Sequence, residues 1–178
     1  MQYTKIDNVL DADLLEYMYN KYCTVSSLDH VSNNYFNAPA TLDGTLPEWH
    51  IQPMDKSDKM AVLESLLKRN PTVKGFTKFH RASANAHKMS AGTSIAPHSD
   101  PCIASITVCL TDDYTGGEFN ELDTEGNIIS TIWLGKNSAC VYYGLDSYTS
   151  PPHSVDTISS GNRITLQIFV PGDQHKKS

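Results

Sequence analysis

The sequence lacks the features that mark several large classes of protein. It contains no run of about 18 apolar residues, so no transmembrane helix is predicted. Its first residues carry acidic side chains and no apolar core, unlike a secretory signal. Positive charge is not in excess, since 14 Lys and Arg stand against 20 Asp and Glu. These absences argue against a membrane or a nucleic acid as the partner.

The sequence also lacks paired cysteines. Its four cysteines form no CxxC motif, and three of them lie in apolar, strand-like stretches. A cysteine in such a stretch usually behaves as a small buried hydrophobe. Free thiols are typical of a reducing compartment, so the cytoplasm is the predicted location.

The length and the hydrophobic pattern predict one domain with two unlike parts. Asp11 is expected to cap a helix over 12–22, and Ser57 a second helix over 58–69. Residues 24–56 are rich in Ser, Asn, Asp and Pro and are predicted to be irregular. The predicted parts of the single domain 1–178 are helical and loop support over 1–75, a β core over 76–170 and a polar tail over 171–178.

From Phe76 onwards, short segments of alternating or fully apolar character follow one another. Turns such as Gly116-Gly117 and Ser160-Gly161-Asn162 separate them. Many short strands with regular turns are typical of a sandwich or a double-sheet barrel. The predicted class is therefore mainly β with N-terminal supporting helices.

The β half carries the pattern His98-Ser99-Asp100 and, much later, His153. Residues two apart on a strand point to the same face, so His98 and Asp100 can reach one metal ion. Two histidines and one carboxylate form the facial triad that holds non-haem Fe(II) and leaves other metal positions open. An HxD pair alone is common, and it is the combination with His153 that predicts a metal site.

Arg163 opens the apolar run RITLQIFV, which is expected to lie in the core. A buried charge needs a partner. A dicarboxylic co-substrate would satisfy the guanidinium through a bidentate contact, and the alternative is a structural salt bridge to an acidic residue. Thr165 points to the same face and can add a hydroxyl hydrogen bond.

The order HxD, GGEF, HSV and GNRITLQIF, within residues 76–170, resembles the 2-oxoglutarate- and Fe(II)-dependent oxygenases, and most of all their prolyl 4-hydroxylase-like branch. The resemblance implies a double-stranded β-helix, or jelly roll, with supporting helices. It also implies that His98, Asp100 and His153 bind Fe(II) and that Arg163 and Thr165 bind 2-oxoglutarate. O₂ would be the second substrate and ascorbate a possible reductant. The implied reaction hydroxylates a prolyl or other residue of a peptide or protein, and releases succinate and CO₂.

The sequence departs from this family in places. Several branches have a tyrosine about ten residues before the HxD histidine, where this chain offers Asn85, His87 or Lys88. Collagen prolyl hydroxylases usually have lysine at the position of Arg163, whereas arginine is typical of oxygen-sensing and bacterial relatives. Alkylated-base demethylases have a further arginine at the end of the last strand, where Val170 lies here.

Other functions remain open. The same chemistry could act on a small molecule or a nucleobase. A closed pocket would favour a small molecule, whereas a wide open groove would favour a peptide. A metal-binding jelly roll without enzyme activity is a further alternative. A halogenase is disfavoured because those enzymes vacate the position that Asp100 fills. The oligomeric state is not predicted.

Two predictions concern the surroundings of the site. The irregular segment 30–56 is long for a structureless connection, and its aromatic residues Tyr35, Phe36 and Trp49 either line the entrance or pack against the β core. Tyr148 lies on a predicted loop near His153, where it could contact the substrate. Ser154 or Asp156 is expected to orient the ring of His153.

Overall fold

The computed structural model describes residues 2–23, 48–70, 81–144 and 149–171. Neither helix in these ranges is long and apolar enough to cross a membrane. The helices are α1 (Ala12–Tyr22) and α2 (Lys56–Arg69). The strands are β1 (Tyr3–Asp7), β2 (Trp49–Pro53), β3 (Ser83–Ser90), β4 (Ile95–His98), β5 (Ala104–Cys109), β6 (Thr115–Gly116), β7 (Phe119–Leu122), β8 (Ile128–Ile132), β9 (Ser138–Tyr143), β10 (His153–Val155), β11 (Ile158–Ser160) and β12 (Asn162–Val170).

The strands form two facing sheets and a small ribbon. The large sheet has the order β1-β9-β5-β12-β3-β2, the small sheet has the order β4-β10-β7-β8, and the ribbon pairs β11 with β6. The pairs are antiparallel, and many join strands that are far apart in the chain, such as β1 with β9 and β3 with β12. This arrangement is a jelly roll, as the sequence predicted.

The two faces of the large sheet are covered differently. The helices pack on the outer face, where Met18 and Leu63 join Leu166 in one apolar cluster. On the inner face, Met89 of the large sheet shares a second cluster with Phe119 of the small sheet. Both faces of β12 are therefore buried. Its alternate residues Arg163 and Thr165 belong to the inner face, because residues two apart on a strand share a face.

The prediction for α1 is confirmed, whereas the start of α2 differs from the prediction. Asp11 lies at the N-cap of α1, although its side chain makes no capping hydrogen bond. Asp55, and not Ser57, is the N-cap of α2, so this helix begins at Lys56. The carboxylate of Asp55 pairs with Lys21 of α1 at 2.6 Å. A contact with α1 thus involves the residue that caps α2.

The prediction that 24–56 is irregular is wrong for Trp49–Pro53, and strand β1 was not predicted within 1–75. Strand β2 pairs with β3 along its whole length, and β1 pairs with β9. Both strands lie at the edges of the large sheet. Their short sequences are weak strand signals, and the pairing with a distant strand decides their conformation. The first part of the chain therefore adds strands as well as helices.

Candidate active site

The three predicted metal ligands meet on two neighbouring strands of the small sheet. His98 ends β4, and Asp100 follows just beyond it. His153 begins β10, and its Cα partner across the antiparallel pair is His98 itself. The segment after β4 and the segment before β10 are also joined, because Asp100 N–H donates to Ser150 Oγ at 2.9 Å and Ser150 N–H donates to the Asp100 carbonyl at 2.8 Å.

The side chains of this triad converge on one point. His98 Nε2 lies 3.6 Å from one carboxylate oxygen of Asp100, and His153 Nε2 lies 3.2 Å from the other. One ligand atom from each residue lies within 4.8 Å of those of the other two. This spacing suits three ligands on one side of a single metal ion.

Backbone carbonyls determine which nitrogen of each ring carries hydrogen. His98 Nδ1 lies 2.8 Å from the Ala96 carbonyl, and His153 Nδ1 lies 3.0 Å from the Pro151 carbonyl. Because a carbonyl oxygen only accepts hydrogen bonds, both Nδ1 atoms must be the donors. In the neutral rings, each Nε2 then presents a lone pair towards the carboxylate of Asp100.

Lone pairs that face a carboxylate repel it unless a positive charge lies between them. A proton can supply that charge. Burial alone would raise the pKa of Asp100, but hydrogen bonds and charge from His153 and His98 outweigh it and hold that pKa below its usual value. Burial alone would lower the pKa of His98, and its hydrogen bond to Asp100 outweighs this effect and raises it. A divalent cation satisfies all three residues at once, so the donor set fits a metal ion.

Tyr3 supports the ring of His153, a contact that the sequence did not reveal. Its hydroxyl lies 2.9 Å from His153 Nδ1 and donates to the Pro151 carbonyl at 3.2 Å. Phe119 stacks on the ring of His153, with ring centroids 5.1 Å apart, and also contacts the ring of Tyr3. The proposed orienting role of Asp156 or Ser154 is not seen: Asp156 accepts a hydrogen bond from Asn120 instead, and no described contact joins Ser154 to the ring.

Arg163 lies between the sheets with only 1% of its surface exposed. Its Nε has no hydrogen-bond partner, its Nη1 makes a weak 3.9 Å contact with Met89 Sδ, and the hydroxyl of Tyr114 is a further polar neighbour of the guanidinium. Across residues 2–23, 48–70, 81–144 and 149–171, no carboxylate lies within ion-pair distance of the guanidinium. The alternative of a structural salt bridge therefore has no support in the described part of the chain.

The turn of the GGEF motif makes room for this arginine. Gly117 has a φ of +69°, a conformation that glycine adopts without strain. A Cβ there would lie 3.2 Å from Arg163 Cδ. The interpretation of the motif as a structural turn holds, and the turn also borders the side chain of Arg163.

Thr165 is completely buried beside Arg163, on the same face of β12. Its Oγ1 has no hydrogen-bond partner within the described ranges. The side chain does not itself line the cavity between the sheets, although its neighbour Gln167 does. A contact between Thr165 and a co-substrate stays a prediction.

A cavity of about 550 Å³ lies between the two sheets and joins the triad to Arg163. Its apolar wall includes Phe119 and Val155, and its polar wall includes Asn85 and His87. Of the three candidates to replace the tyrosine, Asn85 and His87 therefore lie at the cavity, whereas Lys88 does not line it.

Trp49 also lines this cavity. It is buried in strand β2 and belongs to the apolar cluster between the sheets, which agrees with the alternative of packing against the β core. Tyr35, Phe36 and Tyr148 lie outside the described residues. The one local signal for this strand is the sequence Trp49-His50-Ile51, in which apolar and polar residues alternate. Three residues are too few to predict a strand.

No family model and no curated protein sequence matches the chain.

Solved structures, in contrast, share this fold. A prolyl-4-hydroxylase from Pseudomonas putida is 14% identical with a TM-score of 0.62, over 96% of this chain and 92% of that one. A 2OG-Fe(II) oxygenase family oxidoreductase from Burkholderia pseudomallei is 13% identical with a TM-score of 0.66, over 94% and 84%.

A viral collagen prolyl hydroxylase from Paramecium bursaria Chlorella virus-1, in a 2OG complex, is 15% identical with a TM-score of 0.58, over 95% of both chains. Sequence identity this low shows a common fold. The similarity spans nearly the whole of each chain, and it confirms the jelly-roll architecture that the topology of the sheets indicates.

Proposed function

We propose that this chain is an Fe(II)- and 2-oxoglutarate-dependent dioxygenase that hydroxylates a prolyl or other residue of a peptide or protein. One observation carries the proposal. The buried guanidinium of Arg163, with no carboxylate partner in the described residues, borders the same cavity as the His98–Asp100–His153 group. A metal-binding module has no need for such an arginine.

In this proposal the triad holds Fe(II) and Arg163 holds the far carboxylate of 2-oxoglutarate. A guanidinium binds a carboxylate through two parallel N–H donors, so it selects both charge and orientation. When bound, the iron and its co-substrate supply the oxidising chemistry that consumes O₂ and releases succinate and CO₂. Ascorbate is proposed as a reductant that keeps the iron ferrous.

The remaining side chains position and shield the reacting groups. The carbonyls of Ala96 and Pro151 hold each ligand ring with its Nε2 turned inward. Phe119 and Val155 form an apolar part of the cavity wall, which would limit the access of water to the reacting groups. A cavity of about 550 Å³ is within the range of small-molecule sites, roughly 300–1,000 Å³.

The preference for a peptide or protein substrate has separate support. Two of the similar structures are described as prolyl hydroxylases, one of them acting on collagen. A small molecule or a nucleobase remains the alternative substrate, and the acidic composition disfavours nucleic acid. The cytoplasm remains the proposed compartment, because iron stays ferrous most easily where thiols stay reduced.

Anaerobic titration of the metal-free protein with Fe(II) and 2-oxoglutarate tests the proposal. The readout is the visible charge-transfer band of the chelated iron. We expect the band in the native protein, its loss in Asp100→Ala, and a need for much more 2-oxoglutarate in Arg163→Ala. Asp7→Ala and Arg69→Ala are matched controls on exposed residues outside the cavity, and both should behave as the native protein.

The outcomes separate the alternatives. Bound iron without the band would refute the use of 2-oxoglutarate and leave a metal-binding jelly roll. A band in the native protein opens the question of substrate, which a peptide panel addresses by a mass increase that requires O₂ and 2-oxoglutarate. Turnover of 2-oxoglutarate with small molecules and with none of the peptides would contradict the peptide assignment alone.

A further inference from the structure

We infer that His87 donates an Nε2 hydrogen to the carboxylate that Arg163 binds, and that Trp49 is the positioning residue that turns this hydrogen towards the cavity. The inference rests on the proposed function, since it names a second residue that recognises 2-oxoglutarate. In this chain His87 would take the place of the tyrosine that several branches of the resembled family use.

The register of the large sheet brings these residues together. His87 of β3 has Thr165 of β12 as its Cα partner on one side and Ile51 of β2 on the other. In the adjacent row, Met89 lies between Trp49 and Arg163. All of these side chains belong to the inner face. Trp49 therefore lies in the same row as the buried arginine, and His87 lies in the next row.

The hydrogen bond between Trp49 and His87 determines the tautomer of the imidazole. Trp49 Nε1 lies 3.1 Å from His87 Nδ1, and both groups are buried. An indole N–H can only donate, so His87 Nδ1 must accept. The hydrogen of the neutral ring is then on Nε2, the ring's remaining donor.

The charge of the ring is decided by its surroundings. Burial, with the positive charge of Arg163 second, lowers the pKa of His87 to about 3. The ring is therefore neutral near pH 7, and it does not add a second positive charge beside the guanidinium. Arg163 supplies the charge that attracts a carboxylate, and His87 supplies a neutral N–H donor of defined direction.

Geometry separates His87 from the other candidates. Lys88 follows it on β3, and neighbouring residues of a strand point to opposite faces. Asn85 shares the inner face and also lines the cavity. Its Cα partner is Gln167, whereas that of His87 is Thr165, the residue two positions from Arg163. Asn85 is thus the rival donor that an experiment must exclude.

Two readouts test the inference on the full chain. The first is ¹⁵N NMR of the imidazole in the metal-free protein, which distinguishes the Nε2–H tautomer from the Nδ1–H tautomer. The second is the affinity for 2-oxoglutarate by equilibrium dialysis, with Mn(II) in place of iron so that no turnover occurs. We expect the Nε2–H tautomer in the native protein and a mixture in Trp49→Phe, which keeps the aromatic packing but removes the donor.

Loss of the donor in His87→Leu should weaken 2-oxoglutarate binding about tenfold, the effect of one hydrogen bond to a charged group. His87→Gln retains an N–H near the position of Nε2 and should recover most of the affinity. Mn(II) affinity should stay unchanged in all variants, because none of them touches the triad. His50→Leu is the matched control, since His50 pairs with Lys88 on the other face of β2.

Native affinity in a folded His87→Leu variant would overturn the inference, as would the Nδ1–H tautomer in the native protein. A loss of affinity in Asn85→Leu without one in His87→Leu would also overturn it and assign the role to Asn85. If His87→Leu does not fold, two other variants decide the question. Trp49→Phe tests the tautomer by NMR, and His87→Gln tests the affinity for 2-oxoglutarate by dialysis. Absence of 2-oxoglutarate binding in native, Mn(II)-loaded protein would refute the proposed function itself.

Discussion

Replacement of Arg163 by methionine should make the ligand-free protein more stable while it abolishes the response to 2-oxoglutarate. The arginine is buried, its Nε is unpartnered, and its polar neighbours are the sulfur of Met89 and the hydroxyl of Tyr114, neither of which balances its charge. Methionine has a similar unbranched stem and no charge, so it can fill the same space beside Met89.

The magnitude follows from the cost of the unpaired group. A buried polar group without its hydrogen bond costs about 1–3 kcal/mol, and replacing buried charges by apolar side chains often stabilises proteins by a similar amount. We expect Arg163→Met to raise the free energy of unfolding by about 1–3 kcal/mol. At roughly 2–4 °C per kcal/mol for a chain of this size, Tm should rise by several degrees.

Thermal or urea unfolding, with and without ligand, provides the assay. With Mn(II) present, 2-oxoglutarate at 100 times its Kd should stabilise the native protein by about 2.7 kcal/mol. The same concentration should leave the stability of Arg163→Met unchanged. With ligand, the stability advantage of the variant over the native protein should therefore shrink or reverse. Arg69→Met, on an exposed arginine paired with Asp11, is the control and should lose up to about 1 kcal/mol.

The opposite result would refute this reasoning. If Arg163→Met lost several kcal/mol without ligand, the arginine would have a structural partner, and the argument from its unpaired state would fail. If the variant still gained stability from 2-oxoglutarate, the far carboxylate would be bound elsewhere.

Three further predictions follow from the same contacts. Tyr3→Phe should weaken Fe(II) binding about tenfold, because it removes a group that orients a ligand ring; unchanged affinity in a chelator competition would contradict this. The pKa of His87 falls from 6.5 to about 3 on folding, so below pH 6.5 the unfolded chain binds a proton that the native protein does not. The free energy of unfolding should therefore fall by about 2 kcal/mol as the pH drops from 6.5 to 5. Urea unfolding of His87→Gln over this pH range should lack that decrease. Gly117→Ala should lower both stability and 2-oxoglutarate affinity, since its Cβ would press on Arg163, whereas Gly126→Ala, also at positive φ but in open space, should lower stability alone.

Much of the candidate site was accessible from the sequence because its signals are local. The two-residue spacing of His98 and Asp100 places both side chains on one face of a strand end, whichever strand that is. Arg163 stands out because a charge at the start of an apolar run must find a partner in the core. The same logic identified α1, whose apolar spacing needs no knowledge of distant residues.

The start of α2 and the strands β1 and β2 were not accessible in this way. Asp55 ends up at the N-cap while it pairs with Lys21 of another helix. Strand β2 lies in a stretch of turn-forming composition and becomes a strand because β3 offers it a partner. Local propensity is a weak preference, and pairing with a distant segment overrides it.

The sequence by itself determined the chemical types at this site: two imidazoles and a carboxylate for a metal ion, a guanidinium for an anion, and a β-rich frame to carry them. Only the tertiary structure decided which groups surround them. Tyr3 meets His153 across 150 positions of the chain, and Trp49 meets His87 across 38. The physical reason is that spacing along a strand determines which face a side chain occupies, whereas its neighbours on that face depend on strand order and register, which arise only when the whole sheet forms.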